Sequence, residues 1–368
     1  MLELIPKIIA YKLFRNFGFP KILPMNYTIS ALYTCNSKCK TCNIWKKKAV
    51  NLTISEYKEI FRKLGHSPYW ITISGGEPFL RDDIVELFKI IYKYSKPAII
   101  NIPTNGILTN KIVQEVKEIA ASCKKTQIII NLSIDAIGKH HDNLRRIQGN
   151  YDKVVNTFKR LKMLKLENLS VGIHTVISKF NVKYFTTISK TLMDMKPDSY
   201  ITEIAENRNE LDTMNADITP DIVSYCSAID YLIHRIKNDK FTGMNKITQA
   251  FRIEYYSLVK KILRDKTQSI PCYAGIASAQ ISPDGEVWSC CIKAQSIGNL
   301  RDLNYNFKKI WFSEKGDHAR KVIRDTKCFC TYECFLTLNI LFNPKVYPSI
   351  IKEYLGLKWA KAKKKLGV

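Results

Sequence analysis

A transmembrane helix needs an apolar run of about 18 residues, and this chain of 368 residues has no run of that length. It also lacks a recognisable secretory signal with a cleavage site, an internal repeat and a low-complexity tract. These absences argue against a helical membrane-spanning protein and against a solenoid. The 11 cysteines lie too close together in sequence for a disulfide framework, so we expect a reducing compartment and a cytoplasmic protein.

Acidic residues are scarce relative to basic ones. Asp and Glu number 33 and Lys and Arg number 58, which gives a formal charge of +25. Thermophilic proteins enrich both signs together, so that bias does not produce the imbalance. An excess of this size predicts an anionic partner, namely membrane headgroups, nucleic acid or an acidic redox protein. Lysine-rich solvated surfaces are the alternative explanation. With 46% hydrophobic residues, the chain can still bury a substantial core.

Three cysteines near the start of the chain have a C-x3-C-x2-C spacing. They are Cys35, Cys39 and Cys42, and they follow the apolar stretch Tyr27–Tyr33. Iron–sulfur clusters are held by cysteine thiolates at short, fixed spacings. Three ligands leave one iron of a four-iron cluster open, and a catalytic site needs an open metal position. A structural zinc site is the alternative, but zinc needs a fourth ligand, and no His or Cys follows until His66.

A short β-branched segment, Trp70–Ser74, ends in two glycines, a carboxylate and a proline. These residues are Gly75, Gly76, Glu77 and Pro78. Glycines let the backbone approach a ligand closely. An ionised Glu beside them completes a group of acceptors suited to an ammonium ion. Taken alone, the run is also compatible with a simple turn.

In combination, the cysteine spacing and the later Gly-Gly-Glu-Pro run resemble the radical S-adenosylmethionine (radical SAM) superfamily. The resemblance implies that the three cysteines hold a 4Fe–4S cluster whose open iron binds SAM. It also implies that the strand end at Gly75–Glu77 holds the methionine ammonium of SAM.

Polar residues at the ends of two later strand segments extend the resemblance. Asn105 closes the segment Ala98–Asn105, and Ser133 and Asp135 close the segment Gln127–Asp135. Related enzymes place polar groups near SAM at such positions. The resemblance therefore assigns these three residues to cofactor binding.

The run His141–Gly149 is similar to the family pattern H-D-x-x-R-G-x-x-G. By that pattern Arg145 engages the SAM carboxylate, a role that suits the planar fork of donors on a guanidinium group. The chain departs from the pattern at Arg146, where glycine is usual. It also has Thr41 where many members carry an aromatic residue that packs on adenine.

Strand-like and amphipathic helical segments alternate over residues 25–240, which predicts parallel βαβ units. The predicted strands are Tyr27–Tyr33, Trp70–Ser74, Ala98–Pro103, Gln127–Ile134, Ser170–Ile177 and Tyr200–Ile204. The predicted helices between them are Ser55–Leu64, Asp82–Tyr94, Lys111–Ala121, Lys153–Lys165 and Val182–Met195. Six such units match the α/β fold of radical SAM enzymes, a partial (β/α)6 barrel that resembles a TIM barrel. Functional groups of parallel sheets lie at the carboxyl ends of the strands. Glu203, Glu206 and His174 fall near such ends, but none can be assigned as a catalytic acid or base.

A second group of cysteines begins at Cys272, and residues 279–288 read as a β-hairpin closed by a Pro-Asp-Gly turn. This region resembles the SPASM or shorter twitch extension of the superfamily, which carries auxiliary iron–sulfur clusters. Six cysteines suffice for one cluster and are too few for two with full cysteine ligation. The resemblance implies one probable auxiliary 4Fe–4S cluster, with Cys291 as the spare and ligands chosen from Cys272, Cys290, Cys328 or Cys330, and Cys334. A zinc ribbon is the alternative.

Both ends of the chain combine apolar and basic residues. In the N-terminal segment, one helical side carries Leu2, Ile5, Ile8, Ile9, Leu13 and Phe17, and the other carries Lys7, Tyr11 and Arg15. Such a helix can lie on a membrane surface or pack on the barrel. Near the other end, Tyr354–Trp359 is accompanied by lysines that attract anionic lipid: Lys358, Lys361, Lys363, Lys364 and Lys365.

These patterns divide the chain into five parts: a basic amphipathic segment (1–24), the radical SAM barrel (25–240), a helical linker (241–271), the auxiliary-cluster domain (272–340) and a basic tail (341–368). The predicted function is reductive cleavage of SAM to a 5′-deoxyadenosyl radical, which abstracts hydrogen from an unreactive carbon. A low-potential electron donor such as ferredoxin or flavodoxin is an expected partner.

The substrate is predicted less sharply than the chemistry. The basic ends favour a membrane- or lipid-linked substrate and a peripheral position at the membrane. Peptide modification is an alternative, although there is no room before Cys35 for the leader-binding domain that many such enzymes carry. RNA modification is another, but no recognition motif of a known RNA module is present, so nucleic acid is the less favoured partner. A non-enzymatic zinc-bearing adaptor is the alternative from a different class.

Overall fold

A computed structural model describes residues 4–359, in which eleven strands form two sheets. The strands are β1 (Asn26–Ser30), β2 (Trp70–Ser74), β3 (Ile99–Thr104), β4 (Gln127–Ser133), β5 (Leu169–Ile177), β6 (Ser199–Ile204), β7 (Lys240–Phe241), β8 (Ser278–Ile281), β9 (Glu286–Trp288), β10 (Ser296–Asn299) and β11 (Lys358–Trp359). The main sheet has the order β10-β9-β8-β1-β2-β3-β4-β5-β6, and β7 pairs with β11 separately.

Of the described helices, one lies before β1 and the others lie between the strands. They are α1 (Leu4–Phe17), α2 (Ile54–Leu64), α3 (Ile84–Tyr94), α4 (Thr109–Ser122), α5 (Lys139–Arg145), α6 (Asn150–Met163), α7 (Phe185–Asp194), α8 (Ile222–Asn238), α9 (Gly243–Asp265), α10 (Phe307–Trp311), α11 (Glu314–Asp325), α12 (Glu333–Leu341) and α13 (Tyr347–Gly356). Local chemistry sets several starts. Thr53 and Glu56 form a capping box at α2, and Asp221 accepts a hydrogen bond from the backbone of Ser224 at α8.

Strands β1 to β6 are all parallel and follow one another in chain order. A parallel connection needs a crossover, and a helix supplies each one. The predicted α/β fold, a partial (β/α)6 barrel, is confirmed. Every predicted strand and helix of this region overlaps an observed one, and the boundaries differ by a few residues.

The C-terminal hairpin is part of the same sheet. β8 pairs in parallel with β1, so Asn26 lies opposite Ser278 on one side and Trp70 on the other. β9 then runs antiparallel to β8, and the turn between them contains Gly285 at φ +89°, a left-handed conformation that favours glycine. The predicted hairpin is present, and it extends the barrel wall. The predicted division of the chain into five parts remains a prediction.

The main core lies between the sheet and the surrounding helices. Strand residues of one parity, such as Tyr27 and Ile29, pack there against helix residues such as Phe61 and Phe88. The other face of the strands, toward the barrel interior, is buried but largely polar, as at Thr28 and Ser30. A polar interior lets the barrel accept charged ligands at its open end.

Helix α1 packs in an orientation that differs from the one its pattern suggests. Tyr11 and Phe14 are buried against a cluster that includes Phe342, and the side chain of Arg15 donates to the carbonyl of Cys272 at 2.9 Å. Tyr11 and Arg15 of the predicted polar side therefore face the protein, and so does Ile8 of the predicted apolar side, whereas Lys7 is exposed. The apolar stripe contains Leu13 and Phe17, which are exposed.

The two ends of the chain are only partly within the described residues. Leu2, Lys361, Lys363, Lys364, Lys365 and the side chain of Ile5 lie outside them, so the predictions on these residues are not addressed. No helix within residues 4–359 is long and apolar enough to cross a membrane.

Candidate active site

The loop after β1 carries Cys35, Cys39 and Cys42, and all three line one cavity of about 190 Å³. The backbone amide of Lys40 donates to the carbonyl of Leu144 at 2.9 Å, which fixes the loop against the end of α5. This hydrogen bond brings the cysteine loop next to Arg145, the residue predicted to bind the SAM carboxylate, although the two are far apart in sequence.

Two glycines let β2 end directly against this loop. A β-carbon on Gly76 would lie 2.0 Å from the carbonyl oxygen of Thr34, and one on Gly75 would lie 2.1 Å from that of Leu32. The Gly76 amide donates to the Leu32 carbonyl at 2.7 Å. Both glycines line the cavity, and their lack of a side chain is what allows the contact with the cysteine loop.

Glu77 is buried at the wall of the cavity. Its carboxylate accepts hydrogen bonds from the Thr104 hydroxyl at 2.8 Å, the Asn105 amide at 2.8 Å and the Phe79 amide at 3.2 Å. Burial raises the pKa of Glu77 to about 7, although these donors oppose the shift. Glu77 therefore joins the ends of β2 and β3, and a bound cation would favour its ionised form.

Asn105 and Ser133 also line the cavity, at the ends of β3 and β4. The Asn105 side chain donates to the side chain of Asn36, between two of the cysteines, at 2.7 Å. Thr41 lines the cavity as well, and so does Trp45, an aromatic residue four positions later. Trp45 gives the cavity an aromatic surface that the position of Thr41 does not provide.

Arg145 reaches the cavity from the end of α5. It forms an ion pair with Asp135 at 2.7 Å, and it donates to the sulfur of Cys39 at 3.6 Å. Its Nε atom is buried without a hydrogen-bond partner among the described residues. Asp135 does not line the cavity and instead holds Arg145 from behind.

Arg146 occupies a different position. Its φ of +55° and ψ of +38° place it in the left-handed region, and its side chain lines a separate surface depression. Most side chains are strained there, which explains why the family pattern has glycine at this point. Of the two neighbouring arginines, only Arg145 lines the cavity of the cysteines.

The opposite side of the cavity carries charged residues from the end of β6 and the loop after it. Glu203 contacts His174 at 3.2 Å and Arg208 at 2.9 Å. Burial tends to raise the pKa of Glu203, but Arg208 and His174 outweigh it and lower the pKa to about 2. Burial tends to lower the pKa of His174, but Glu203 outweighs it and raises the pKa. Glu203, Glu206 and Arg208 line the cavity, whereas His174 lies behind Glu203.

The same loop connects the cavity to the second group of cysteines. Glu206 accepts hydrogen bonds from the Thr331 amide at 3.0 Å and the Thr331 hydroxyl at 2.8 Å. Arg208 lies over the ring of Tyr332, 4.1 Å from its centre. Asn209 donates through its side chain to the carbonyl of Lys293 at 2.8 Å. Neither Arg208 nor Thr331 belongs to a recognisable motif, so the sequence pattern did not predict their part in the site.

The C-terminal cysteines surround a small apolar cluster that contains Ile323 and Phe335. Cys291 is fully buried in that cluster, whereas the other members of the group are only partly buried: Cys272, Cys290, Cys328, Cys330 and Cys334. The thiols of Cys328 and Cys330 each lie within electrostatic reach of those of Cys272 and Cys290. The thiol of Cys334 lies within electrostatic reach of the carboxylates of Glu203 and Glu333.

Burial keeps the thiols of the first group protonated. It raises the pKa of Cys35 to about 11 and that of Cys42 to about 12, and it raises the pKa of Cys39 despite Arg145. Within residues 4–359, no three His, Cys, Asp or Glu side chains are close enough to hold a single metal ion. Cluster ligands each bind a different iron, so they do not need such short mutual distances.

Comparisons with known proteins agree with this arrangement. Residues 29–192 match the Radical SAM superfamily, and residues 272–335 match SPASM, an iron-sulfur cluster-binding domain. The subtilosin biosynthesis protein AlbA of Bacillus subtilis is 23% identical over 334 residues, which span 85% of this chain and 68% of AlbA. A GTP 3',8-cyclase of Aquifex aeolicus is 24% identical over 81% of this chain and 93% of its own length.

Among solved structures, Streptococcus suis SuiB bound to precursor peptide SuiA has a TM-score of 0.62 at 15% identity. The match covers 88% of this chain and 71% of SuiB. At 15% identity the likeness shows a shared fold and nothing more.

Proposed function

Because this chain belongs to the radical SAM superfamily and carries a SPASM extension, we propose that its cavity binds a 4Fe–4S cluster on Cys35, Cys39 and Cys42, with SAM beside it. The observation that carries the proposal is the convergence of three thiols, Glu77 and Arg145 on one cavity. As a member of that superfamily the chain is an enzyme, so the alternative of a non-enzymatic zinc-bearing adaptor is wrong.

The residues present fit these cofactors. Three cysteine thiols face the cavity, and three protein ligands leave one iron free for SAM. Binding of iron would displace the protons that burial keeps on the thiols. The unpartnered Nε atom of Arg145 is a buried donor suited to a carboxylate. Each end of the amino-acid part of SAM thus has an oppositely charged side chain available.

The remaining residues position and shield the cofactor. The glycines hold the cysteine loop against β2, and Glu77 offers a carboxylate to the SAM ammonium. Asn105 and Ser133 supply further polar groups, Asp135 orients Arg145, and Trp45 offers an aromatic surface for the adenine. When bound, the cluster supplies the electron that cleaves SAM to a 5′-deoxyadenosyl radical, which abstracts hydrogen from the substrate.

We assign the auxiliary cluster to Cys272, Cys290, Cys328 or Cys330, and Cys334. Their partial exposure around one apolar cluster supports this assignment, and the complete burial of Cys291 supports its place as the spare. Glu206 and Arg208 lie between the two cysteine groups, so a substrate in the cavity would contact the walls of both.

Anaerobic reconstitution tests both cluster assignments. The full-length protein should hold about eight iron atoms, in two 4Fe–4S clusters. Replacing Cys35, Cys39 and Cys42 by Ala should remove about half of the iron and all SAM cleavage. The matched control is Cys123→Ala, a buried cysteine outside both groups, which should leave the iron content unchanged. Continued formation of 5′-deoxyadenosine by the triple variant would show that the first assignment is wrong.

The same preparation tests the SAM contacts by calorimetry. Arg145→Ala should weaken SAM binding by about 1.5–3 kcal/mol, because it removes a hydrogen-bonding partner of a charged group. The cluster content should stay intact. Arg146→Ala should bind SAM normally, since that side chain faces away from the cavity. The opposite pattern would move the role to Arg146.

Two substrate classes are proposed. The lysine excess and the exposed apolar side of α1 support a membrane- or lipid-linked substrate. A peptide is the second candidate, because AlbA is named for bacteriocin biosynthesis and SuiB is bound to a precursor peptide. Stimulation of 5′-deoxyadenosine formation by one class and not the other would decide between them. We also propose a low-potential ferredoxin or flavodoxin as electron donor.

A further inference from the structure

Helix α1 exposes a continuous apolar stripe. Ile9, Leu13 and Phe17 recur every four residues on one side of the helix, and they are 55%, 41% and 77% exposed. Phe19, just beyond the helix end, is 75% exposed. Large apolar side chains that are grouped in this way, in contrast to single ones, indicate an interaction surface.

The opposite side of α1 is already occupied. Tyr11 donates to the carbonyl of Leu23 at 2.7 Å and packs on Phe342, and Phe14 packs edge-on against Phe312. Arg15 is held by the carbonyl of Cys272. The helix therefore cannot turn its apolar stripe inward without losing these contacts, and the stripe is available to a partner.

The charge around the stripe indicates which partner fits. Residues 4–55 contain no Asp or Glu, and they contain nine cations: Lys7, Lys12, Arg15, Lys21, Lys38, Lys40, Lys46, Lys47 and Lys48. Within α1, Lys12 adjoins the stripe, since it directly precedes Leu13 and lies three residues after Ile9. An apolar stripe on such a basic segment matches the interface of an anionic bilayer, where acyl chains and negative headgroups lie side by side.

A second helix repeats the pattern. On α13, Ile351 and Leu355 are exposed four residues apart, next to Lys352. Both helices are anchored at the end of α12, since Tyr11 packs on Phe342 and the Tyr347 hydroxyl donates to the carbonyl of Leu341 at 2.6 Å. Both helices that expose an apolar face, α1 and α13, are therefore attached to the end of α12.

We propose that the exposed stripe of α1, supported by α13, docks the protein on an anionic lipid bilayer, with α1 lying in the interface. A second copy of the chain is the competing occupant. The formal charge of +25 disfavours it, because two such copies repel each other. This docking surface adds to the membrane- or lipid-linked substrate proposed above, because it names the part of the protein that contacts the membrane. It does not depend on the cluster assignments.

Co-sedimentation of the reconstituted full-length protein with vesicles tests the proposal. We expect binding to vesicles of pure phosphatidylglycerol, weak binding to pure phosphatidylcholine, and loss of binding at high salt as the charges are screened. The double variant Leu13→Ser, Phe17→Ser should bind phosphatidylglycerol at least about ten-fold more weakly, because two large apolar side chains are no longer transferred from water into the bilayer. Its iron content should equal that of the unmodified protein.

The matched control is Val223→Ser. Val223 is 80% exposed on α8, far from α1 in sequence, so its replacement removes exposed apolar surface at another site. Equal loss of binding in this control would overturn the proposal, and so would full-length protein that stays in the supernatant with both lipids. A concentration-dependent dimer that the double variant abolishes in the absence of lipid would assign the stripe to a second copy instead.

Discussion

At the scale of single residues, Glu77 connects the fold to the proposed chemistry. It is buried, and its carboxylate is held by donors from β3 and from the turn that follows it. Because burial raises its pKa from the ordinary value of 4.5 to about 7, the folded, cofactor-free protein takes up a proton that the unfolded chain releases.

The sign of the pH effect follows from that proton. Between about pH 4.5 and pH 7 the folded state binds more protons than the unfolded chain, so the free energy of unfolding falls as the pH rises. Glu77 alone should lower it by about 3 kcal/mol across this range. Glu77→Gln should remove this slope. Urea unfolding of both cofactor-free proteins across that range measures it, and the difference between them isolates Glu77 from other buried acids. Equal slopes would contradict the prediction.

Arg145 and Arg146 show what could and could not be predicted for single residues. The family pattern placed Arg145 at the cofactor, and the structure brings Arg145 to the cavity with the cysteines. The sequence could not explain the departure at Arg146, because that requires its left-handed backbone. Glu203 and Glu206 were placed near the cavity by their position at and just after the end of β6. Their partner Arg208 carried no motif and was missed.

At the scale of elements, the contact between the end of β2 and the cysteine loop depends on two glycines. Gly76→Ala would place a β-carbon 2.0 Å from the Thr34 carbonyl oxygen, so the loop must move. We expect the free energy of unfolding to fall by about 1–3 kcal/mol or more, and iron binding by the first group to weaken.

The matched control is Gly356→Ala at the end of α13, where a β-carbon would meet no atom within 4 Å. That variant should be as stable as the unmodified protein or slightly more stable. Thermal unfolding and iron content measured for both variants test the prediction. Normal iron content in Gly76→Ala would show that the cysteine loop tolerates the displacement.

Periodicity predicted most of the elements, because burial on one or both faces leaves a readable pattern in β-strands and amphipathic helices. It could not give the orientation of α1. A helical pattern identifies an apolar side but not its neighbour, and here Tyr11 and Phe14 make the contacts with the protein. It also could not predict that β8 pairs with β1, because strand pairing depends on contacts distant in sequence.

At the scale of the whole molecule, the last described residues, Tyr354–Trp359, pack on α9. Lys246 of α9 lies 4.0 Å from the ring centre of Trp359 and 4.7 Å from that of Tyr354, and Leu357 is buried. β11 pairs with β7 beside them. These contacts join the last described residues to the helix that follows the barrel.

Deleting all residues after Tyr354 should therefore lower the free energy of unfolding by about 2–4 kcal/mol, because Leu357 and a cation–π contact are lost. Iron content should not change, since every proposed ligand lies earlier in the chain. Deletion after Trp359 is the control and keeps both contacts. Chemical denaturation and iron analysis of the two truncated proteins measure these effects. An iron loss confined to the shorter protein would contradict the prediction.

The two cysteine groups were each predictable from sequence, but their connection was not. Glu206 and Thr331 are 125 residues apart, and neither position signals the other. The hydrogen bonds between them nevertheless make the loop after β6 a shared wall of both proposed cofactor sites.

The pairing of β1 with β8 has a consequence for how the protein is made in the cell. The ribosome releases the chain from its amino end, so β1 and its cysteines emerge long before β8. β1 lacks one of its two neighbours until Ile281 has been synthesised, and Glu206 lacks its partner until Thr331 has. The cavity therefore has all of these contacts only after Thr331 has been synthesised. We expect iron and sulfide to be delivered to the proposed cluster site after that point and not while its cysteines are first emerging.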